Sequence, residues 1–123
     1  PIYNLMVLDE LTDADVDRLF HALADATRRD IVRRSIDGEH SVSELARRYP
    51  MSITAVQKHV AVLEEAGLVA KRRHGREQRV VGRPEAIRLA QRLLEEYEQL
   101  WRGRLERMGE LLDEGTGSGG ENA

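Results

Sequence analysis

The close succession of helix-start and helix-stop signals between Ser41 and Gly67 constrains this chain more than any other feature. Ser41-Val42-Ser43-Glu44 reads as a capping box, in which the serine and the glutamate each satisfy a free backbone N–H of the other. It opens a short helix through Tyr49. Pro50 stops that helix, because the proline ring disfavours helical backbone at the residue before it. Ser52 caps a further helix over 53–66. Gly67 stands where a left-handed residue closes a helix, and Leu68 is its apolar partner. The two helices are therefore joined by about three residues, too few for them to do anything but cross closely.

The rest of the chain extends this pattern. Thr12 and Asp15 form a cap pair for a helix over 13–24, with Val16, Leu19, Phe20 and Leu23 at helical spacing. Asp25 caps a helix over 26–36 that turns Ile31, Val32 and Ile36 inward, and Asp37-Gly38 ends it. After Leu68 the period shortens. Two runs, Leu68–Arg73 and Gln78–Val81, flank Arg73-His74-Gly75-Arg76 and read as a two-stranded hairpin with a basic tip. Pro84 fits the first turn of a long helix. The predicted fold is mainly α (α+β): a winged helix-turn-helix with a two-stranded β-wing and a long C-terminal dimerisation helix. The domain reading is an N-terminal arm over 1–12, a winged helix-turn-helix domain over 13–83, the long helix over 84–114, and a Gly/Ser-rich disordered tail over 115–123.

Composition narrows the function. Among 123 residues there is no cysteine, which excludes disulfides, thiolate nucleophiles and cysteine metal sites. Aromatic residues make up 4%, so the core must rest on aliphatic side chains. No run of about 18 apolar residues occurs. The first residues lack a basic stretch followed by a short apolar block. A cytoplasmic protein with no membrane partner is expected. The net charge of -3 conceals an asymmetry. Residues 1–46 carry 5 basic and 10 acidic side chains, residues 47–83 carry 9 and 3, and residues 84–123 carry 5 and 9. A basic middle between acidic ends suits one face attracted to a polyanion; the alternative is a solvated charged surface.

The helix over 53–66 carries the sharpest signal. On a helical wheel Val60 and Leu63 fall within about 40° of Val56, and Ile53 about 60° away, so these four are expected to bury the helix. Thr54, Lys58 and Ala61 fall on the opposite side, with Gln57 on the flank. That outward face is small, polar and basic, as a helix entering a major groove requires. Gln57 can pair with an adenine edge, and Lys58 can reach guanine or phosphate. Ser52, Thr54 and Ala55 permit close approach at the helix N-terminus, where free N–H groups favour phosphate. His59 lies at the edge of the buried stripe, where it either hydrogen-bonds within the fold or reaches a phosphate. In the wing, Arg76 at the tip is best placed for a minor groove or phosphate. Arg72 and Arg73 alternate in direction, so at most one of them faces nucleic acid. The candidate DNA-binding residues are therefore Ser52, Thr54, Ala55, Gln57, Lys58, His59, Arg72 and Arg76.

The long helix allows a heptad reading, with Ile87, Leu94, Trp101 and Met108 at a, and Ala90, Tyr97 and Leu111 at d; Arg104 breaks the series. A helix of this length would outrun a small domain. Leu94, Tyr97, Trp101, Leu105 and Met108 are accordingly the candidate dimer contacts. No nucleophile, base and orienter form a constellation, and no glycine-rich phosphate loop is present, so no enzyme activity and no cofactor are expected. His21, His40 and His74 are isolated, and none pairs with another histidine at metal-ligand spacing.

Leu23-Ala24-Asp25-Ala26-Thr27-Arg28-Arg29, Val42-Ser43-Glu44-Leu45-Ala46, Met51-Ser52, Ala55-Val56-Gln57-Lys58-His59-Val60, and Val62-Leu63-Glu64-Glu65-Ala66-Gly67-Leu68-Val69 together resemble the ArsR family of bacterial winged-helix repressors. The tail Trp101-Arg102-Gly103-Arg104-Leu105-Glu106-Arg107-Met108 is similar to the branch that lacks metal sites and ends in a long helix. The resemblance implies a homodimer that binds an operator and represses transcription. Metal sensors of the family carry a cysteine motif on the third helix, or Asp and His ligands on the last. Here Glu44, Leu45 and Ala46 come without cysteine, and the last helix has no histidine, so the resemblance does not extend to metal sensing. Gln57 stands where a serine is frequent, and Gly82 where a leucine is common, which implies a weaker second wing strand. The reading is a homodimeric repressor on a double-stranded, inverted-repeat DNA operator, with no effector indicated by the residues. The alternatives are a MarR-like regulator responding to a small molecule, and a winged-helix protein-interaction module that does not touch DNA.

Overall fold

The structure, a computed structural model, describes residues 12–115. Of the expected arm over 1–12 only Thr12 is described, as the cap of the first helix, and of the expected tail over 115–123 only Gly115, as the last residue of the long helix; the rest lie outside the described residues. The elements run α1 (Asp13–Leu23), α2 (Ala26–Asp37), β1 (His40–Ser41), α3 (Val42–Ala46), α4 (Ile53–Glu65), β2 (Val69–His74), β3 (Glu77–Gly82) and α5 (Pro84–Gly115). The described residues up to Ala90 form one compact unit, and a second begins at Gln91.

Local chemistry accounts for most boundaries. Thr12 and Asp15 form a complete capping box at α1, and Ser41 and Glu44 form another at α3. The Asp25 carboxylate accepts the Arg28 N–H at 3.0 Å and starts α2. At the end of α4 the Leu68 N–H donates to the Leu63 carbonyl and the Gly67 N–H to the Glu64 carbonyl, both at 3.0 Å. Gly67 takes φ +76°, so this is a Schellman close that only glycine adopts without strain.

The core of the first unit is aliphatic throughout. Leu19, Ile31, Leu45, Val56, Val60, Leu63, Leu68, Val69 and Val80 are fully buried and draw on every element from α1 to β3 except β1. Ala86 and Ala90, on the first turns of α5, complete it. Phe20 and Tyr49 pack at its margin.

Several expectations need correction. The sheet has three strands, in the order β1-β3-β2, because His40 and Ser41 pair antiparallel with Val80 and Arg79. A two-residue strand has no alternation of its own; its partner defines it. The short helix ends at Ala46 rather than Tyr49. The Arg48 and Tyr49 N–H groups bond three residues back, to Leu45 and Ala46, so the chain has already tightened into turns ahead of Pro50. The Tyr49 hydroxyl instead donates to Asp30 at 2.6 Å, tying the turn to α2. Ile36 is 65% exposed, and Ser35 takes the inward position beside Ile31 and Val32. Ile53 is 45% exposed, although Val56, Val60 and Leu63 are buried as expected. A side chain in the first helical turn leans toward the N-terminus, and so projects past the end of the packed stripe. Finally, β3 runs through Gly82, which pairs with Val69. A Cβ at that position would lie 3.2 Å from the Ser35 carbonyl oxygen, so this glycine serves a close approach to α2.

Candidate nucleic-acid interface

Helix α4 presents Ser52, Thr54, Gln57, Lys58 and Ala61 to solvent. Its N-terminus is held by the Ser52 hydroxyl, which accepts the Ala55 N–H at 3.1 Å. Ala55 is half-buried beneath that exposed edge. Lys58 makes no ion pair among the described residues, so its charge is available to a ligand.

The orientation of α4 is set from behind. Arg28 donates through Nε to the Ala22 carbonyl and through Nη2 to the His21 carbonyl, each at 2.8 Å. Its Nη1 lies 3.3 Å from Nδ1 of the half-buried His59. One guanidinium thus caps the C-terminal carbonyls of α1 and steadies the middle of α4. His59, which the sequence left between a structural and a phosphate-binding place, has its Nδ1 engaged inside the fold.

The wing is β2 and β3, joined at Gly75 with φ +64°. Lysine and arginine line it, but their charges are not equally free. Lys71 Nζ lies 3.9 Å from Glu64, Arg72 lies 3.9 Å from Glu39, and Arg79 lies 3.8 Å from Glu77. Arg72 and Arg79 stand directly opposite each other across the ladder, where like charges repel, and each has an acid of its own nearby. Arg73 bends back so that its Nε donates to the Gly75 carbonyl at 3.2 Å. Arg76, exposed at the tip, has no such partner among the described residues. Of the sequence-predicted wing residues, Arg76 is therefore free to meet an anion, whereas Arg72 is partly neutralised.

Between α4 and the wing lies a groove of about 480 Å³, lined by residues including Ser43, Ile53, Gln57, Lys71, Arg76 and Gln78. It brings Gln57 and Arg76 to one surface. Thr54 and Lys58 are exposed on the same helix as Gln57, outside the groove lining. Sequence reasoning did not place Ser43, Ile53 or Gln78 here. Ile53 could have been found from its position four residues before Gln57, which puts the two on one helix face.

In the second unit, Leu94, Tyr97, Trp101, Leu105 and Met108 are all exposed along one helix. Arg104, which interrupts the heptad series, sits over the Trp101 ring with its guanidinium carbon 5.6 Å from the centroid. The charge therefore lies on an aromatic face rather than breaking the stripe. Among the described residues no three His, Asp or Glu side chains come together as a metal ligand set, and no helix is long and apolar enough to cross a membrane.

A short helix, a tight turn, a capped helix with a polar outer face, and a basic hairpin beside it define a winged helix-turn-helix protein. Comparison with known proteins agrees. A family model described as a helix-turn-helix domain matches residues 23–72. The chain is 51% identical over 59 residues to the HTH-type transcriptional regulator Rv2034 of Mycobacterium tuberculosis, a match covering 48% of this chain and 55% of that protein. It is 40% identical over 67 residues to the uncharacterized HTH-type transcriptional regulator YuzN of Bacillus subtilis, covering 49% of this chain and 73% of that one. Among solved structures, an ArsR-like transcriptional regulator from Rhodococcus superposes with a TM-score of 0.76 at 32% identity, over 81% of this chain and 92% of that one. A homodimeric winged helix-turn-helix DNA-binding domain from Mycobacterium bovis superposes with a TM-score of 0.57 at 26% identity, over 73% and 91%. The chain belongs to the ArsR family of winged helix-turn-helix transcriptional regulators.

Proposed function

We propose that this chain is a homodimeric, sequence-specific DNA-binding repressor that acts on an inverted-repeat operator and does not respond to metal. The observation that carries this reading is the groove shared by Gln57 on α4 and Arg76 on the wing. It sets an adenine-reading amide and a phosphate-seeking guanidinium on one surface. In this reading residues 13–83 are the DNA-binding domain and residues 84–114 the dimerisation helix. Ser52, Thr54, Ala55 and Lys58 surround the base-reading position, and His59 orients α4 from within. The homodimeric state of the Mycobacterium bovis domain supports a dimer here. The absence of cysteine, and of histidine on the last helix, supports a regulator without a metal site of the family type.

Two recognition helices about 34 Å apart would face successive major grooves, so half-sites about one turn apart are expected. Selection of bound duplex from random sequence, followed by footprinting, tests this. An inverted repeat protected by a dimer is the expected result, and a monomer on a single asymmetric half-site would overturn it. On the selected site, Gln57→Ala should relax preference at one base pair by about 1–3 kcal/mol. Arg76→Ala should weaken binding to all sequences alike and reduce the log–log salt slope by about one. Repression itself is read with a reporter carrying that site: expression should rise when Gln57→Ala replaces the wild type.

A further inference from the structure

We propose that Ile53 is a base-reading residue, and that its side chain receives the 5-methyl group of a thymine in the major groove, next to the base pair that Gln57 engages. The inference rests on the DNA-binding reading above and extends it to a specific contact.

Three observations converge on this residue. The inward stripe of α4 is already complete without it: Val56, Val60 and Leu63 are 0% exposed, whereas Ile53 is 45% exposed. The exposed part of Ile53 lines the groove between α4 and the wing, together with Gln57 and Arg76. The other groove residues on α4 and the wing, Gln57, Lys71, Arg76, Glu77 and Gln78, are all polar or charged; the one further apolar lining residue, Val42 on α3, packs against the core. Ile53 is thus the one apolar side chain that α4 and the wing bring to the groove.

The chemistry of the major groove says what such a side chain can recognise. Its floor offers hydrogen-bond donors and acceptors at every base pair, but only thymine adds an apolar group, the methyl on C5. Ile53 cannot donate or accept, so thymine is the base it can prefer. The spacing fits as well. Residues four apart on a helix stand one above the other, about 6 Å apart along the axis. Successive bases are about 3.4 Å apart, so adjacent side chains on one helix face reach base pairs one or two steps apart. Gln57 engaging an adenine and Ile53 touching a thymine would together read a short A·T-rich step. The cap at Ser52 fixes the first turn of α4 and so holds Ile53 in place before DNA arrives.

The test removes one methyl group and nothing else. On the site selected by the wild-type protein, each dT of a half-site is replaced in turn by dU, and affinity is measured by fluorescence anisotropy. At one position the wild type should lose about fourfold, the value of burying a single methyl-sized group. The same replacement should cost Ile53→Ala nothing, and Ile53→Val should keep part of the effect. Gln57→Ala should retain the dU sensitivity while losing preference at its own base pair. Circular dichroism confirms that each variant is folded. If no dT→dU change weakens the wild type, or if Ile53→Ala loses the same factor, the inference is overturned and the DNA-binding reading stands. If the wild type selects no duplex at all, both fall together.

Discussion

Gly82 on β3 lies so close to Ser35 on α2 that a Cβ there would sit 3.2 Å from both the carbonyl oxygen and the hydroxyl of Ser35. The hydroxyl is committed, since it donates to the Val32 carbonyl at 2.6 Å, and the carbonyl is backbone. Neither can swing aside as a flexible side chain would. The end of the wing strand is thus seated on α2 through the absence of a side chain.

It follows that Gly82→Leu should destabilise the protein. Forcing a large side chain into a packed contact costs about 1–3 kcal/mol. The measurement is the urea midpoint of the purified variant against wild type. An unchanged midpoint would mean that β3 can lift from α2 at no cost.

Arg28 and His59 give a second test. Arg28→Ala removes three contacts at once, to the Ala22 and His21 carbonyls and to His59, whereas His59→Ala removes one of them. Hydrogen bonds to charged groups contribute about 1.5–3 kcal/mol each in net terms when well formed. Arg28→Ala should therefore lower the thermal midpoint further than His59→Ala. Equal losses would show that the contacts at α1 contribute little.

These two cases also mark how far the sequence reaches. Signals confined to a few neighbouring residues were legible: the boxes at Thr12 and Ser41, the cap at Asp25, the Gly67 close and the Pro84 start. Gln57 and Lys58 on the outer face of α4 followed from the wheel alone. What escaped depends on residues distant in the chain. The wheel puts Ile53 and Ile36 near a buried stripe but cannot say where the core stops. Strand β1 exists only because Val80 and Arg79 lie alongside it. Gly82 looked like a weak point in a strand until Ser35 was seen against it.

Stability should fall at both ends of the pH scale. The Asp25 carboxylate is held below its usual 3.8, first by the hydrogen bond from the Arg28 N–H; Asp30 is held down by the Tyr49 hydroxyl and then by Arg34. Their folded values lie below the unfolded ones. The stability they add is therefore present above about pH 4 and is lost as pH falls through the folded values. Tyr49 runs the other way: burial, and then the bond to Asp30, push its hydroxyl up to about 12. That contribution is intact below about pH 10 and is lost as pH rises toward the folded value. Urea midpoints across pH check both limbs. Asp25→Ala should be less stable than wild type at neutral pH, with the gap closing in acid, and Tyr49→Phe should lose the alkaline limb and, because its hydroxyl also holds Asp30 down, shrink the acid limb.

The last prediction concerns Trp101. It is 61% exposed, and Leu94, Tyr97, Leu105 and Met108 are exposed on the same helix. A stripe of this kind forms an apolar patch larger than monomers usually leave in water, and such patches mark interfaces. Around Trp101 the surface is shaped as well as apolar: Tyr97, Leu100, Trp101 and Arg104 line a shallow concavity of about 250 Å³. A large aromatic beside a concave surface is the usual centre of a binding hot spot, because it buries much area at little cost in side-chain entropy. If a second copy covers this face, Trp101→Ala should weaken the dimer by about 3–5 kcal/mol, the typical cost of truncating a buried tryptophan. Leu94→Glu should act in the same direction by placing a charge in the seam. DNA affinity should fall with dimer affinity, because only a dimer engages both half-sites of an inverted repeat. Sedimentation at a series of protein concentrations, run alongside binding to the selected duplex, separates the outcomes. A Trp101→Ala protein that remains dimeric at nanomolar concentration and binds the duplex as tightly as wild type would place the subunit contact elsewhere, with α1 as the next surface to mutate.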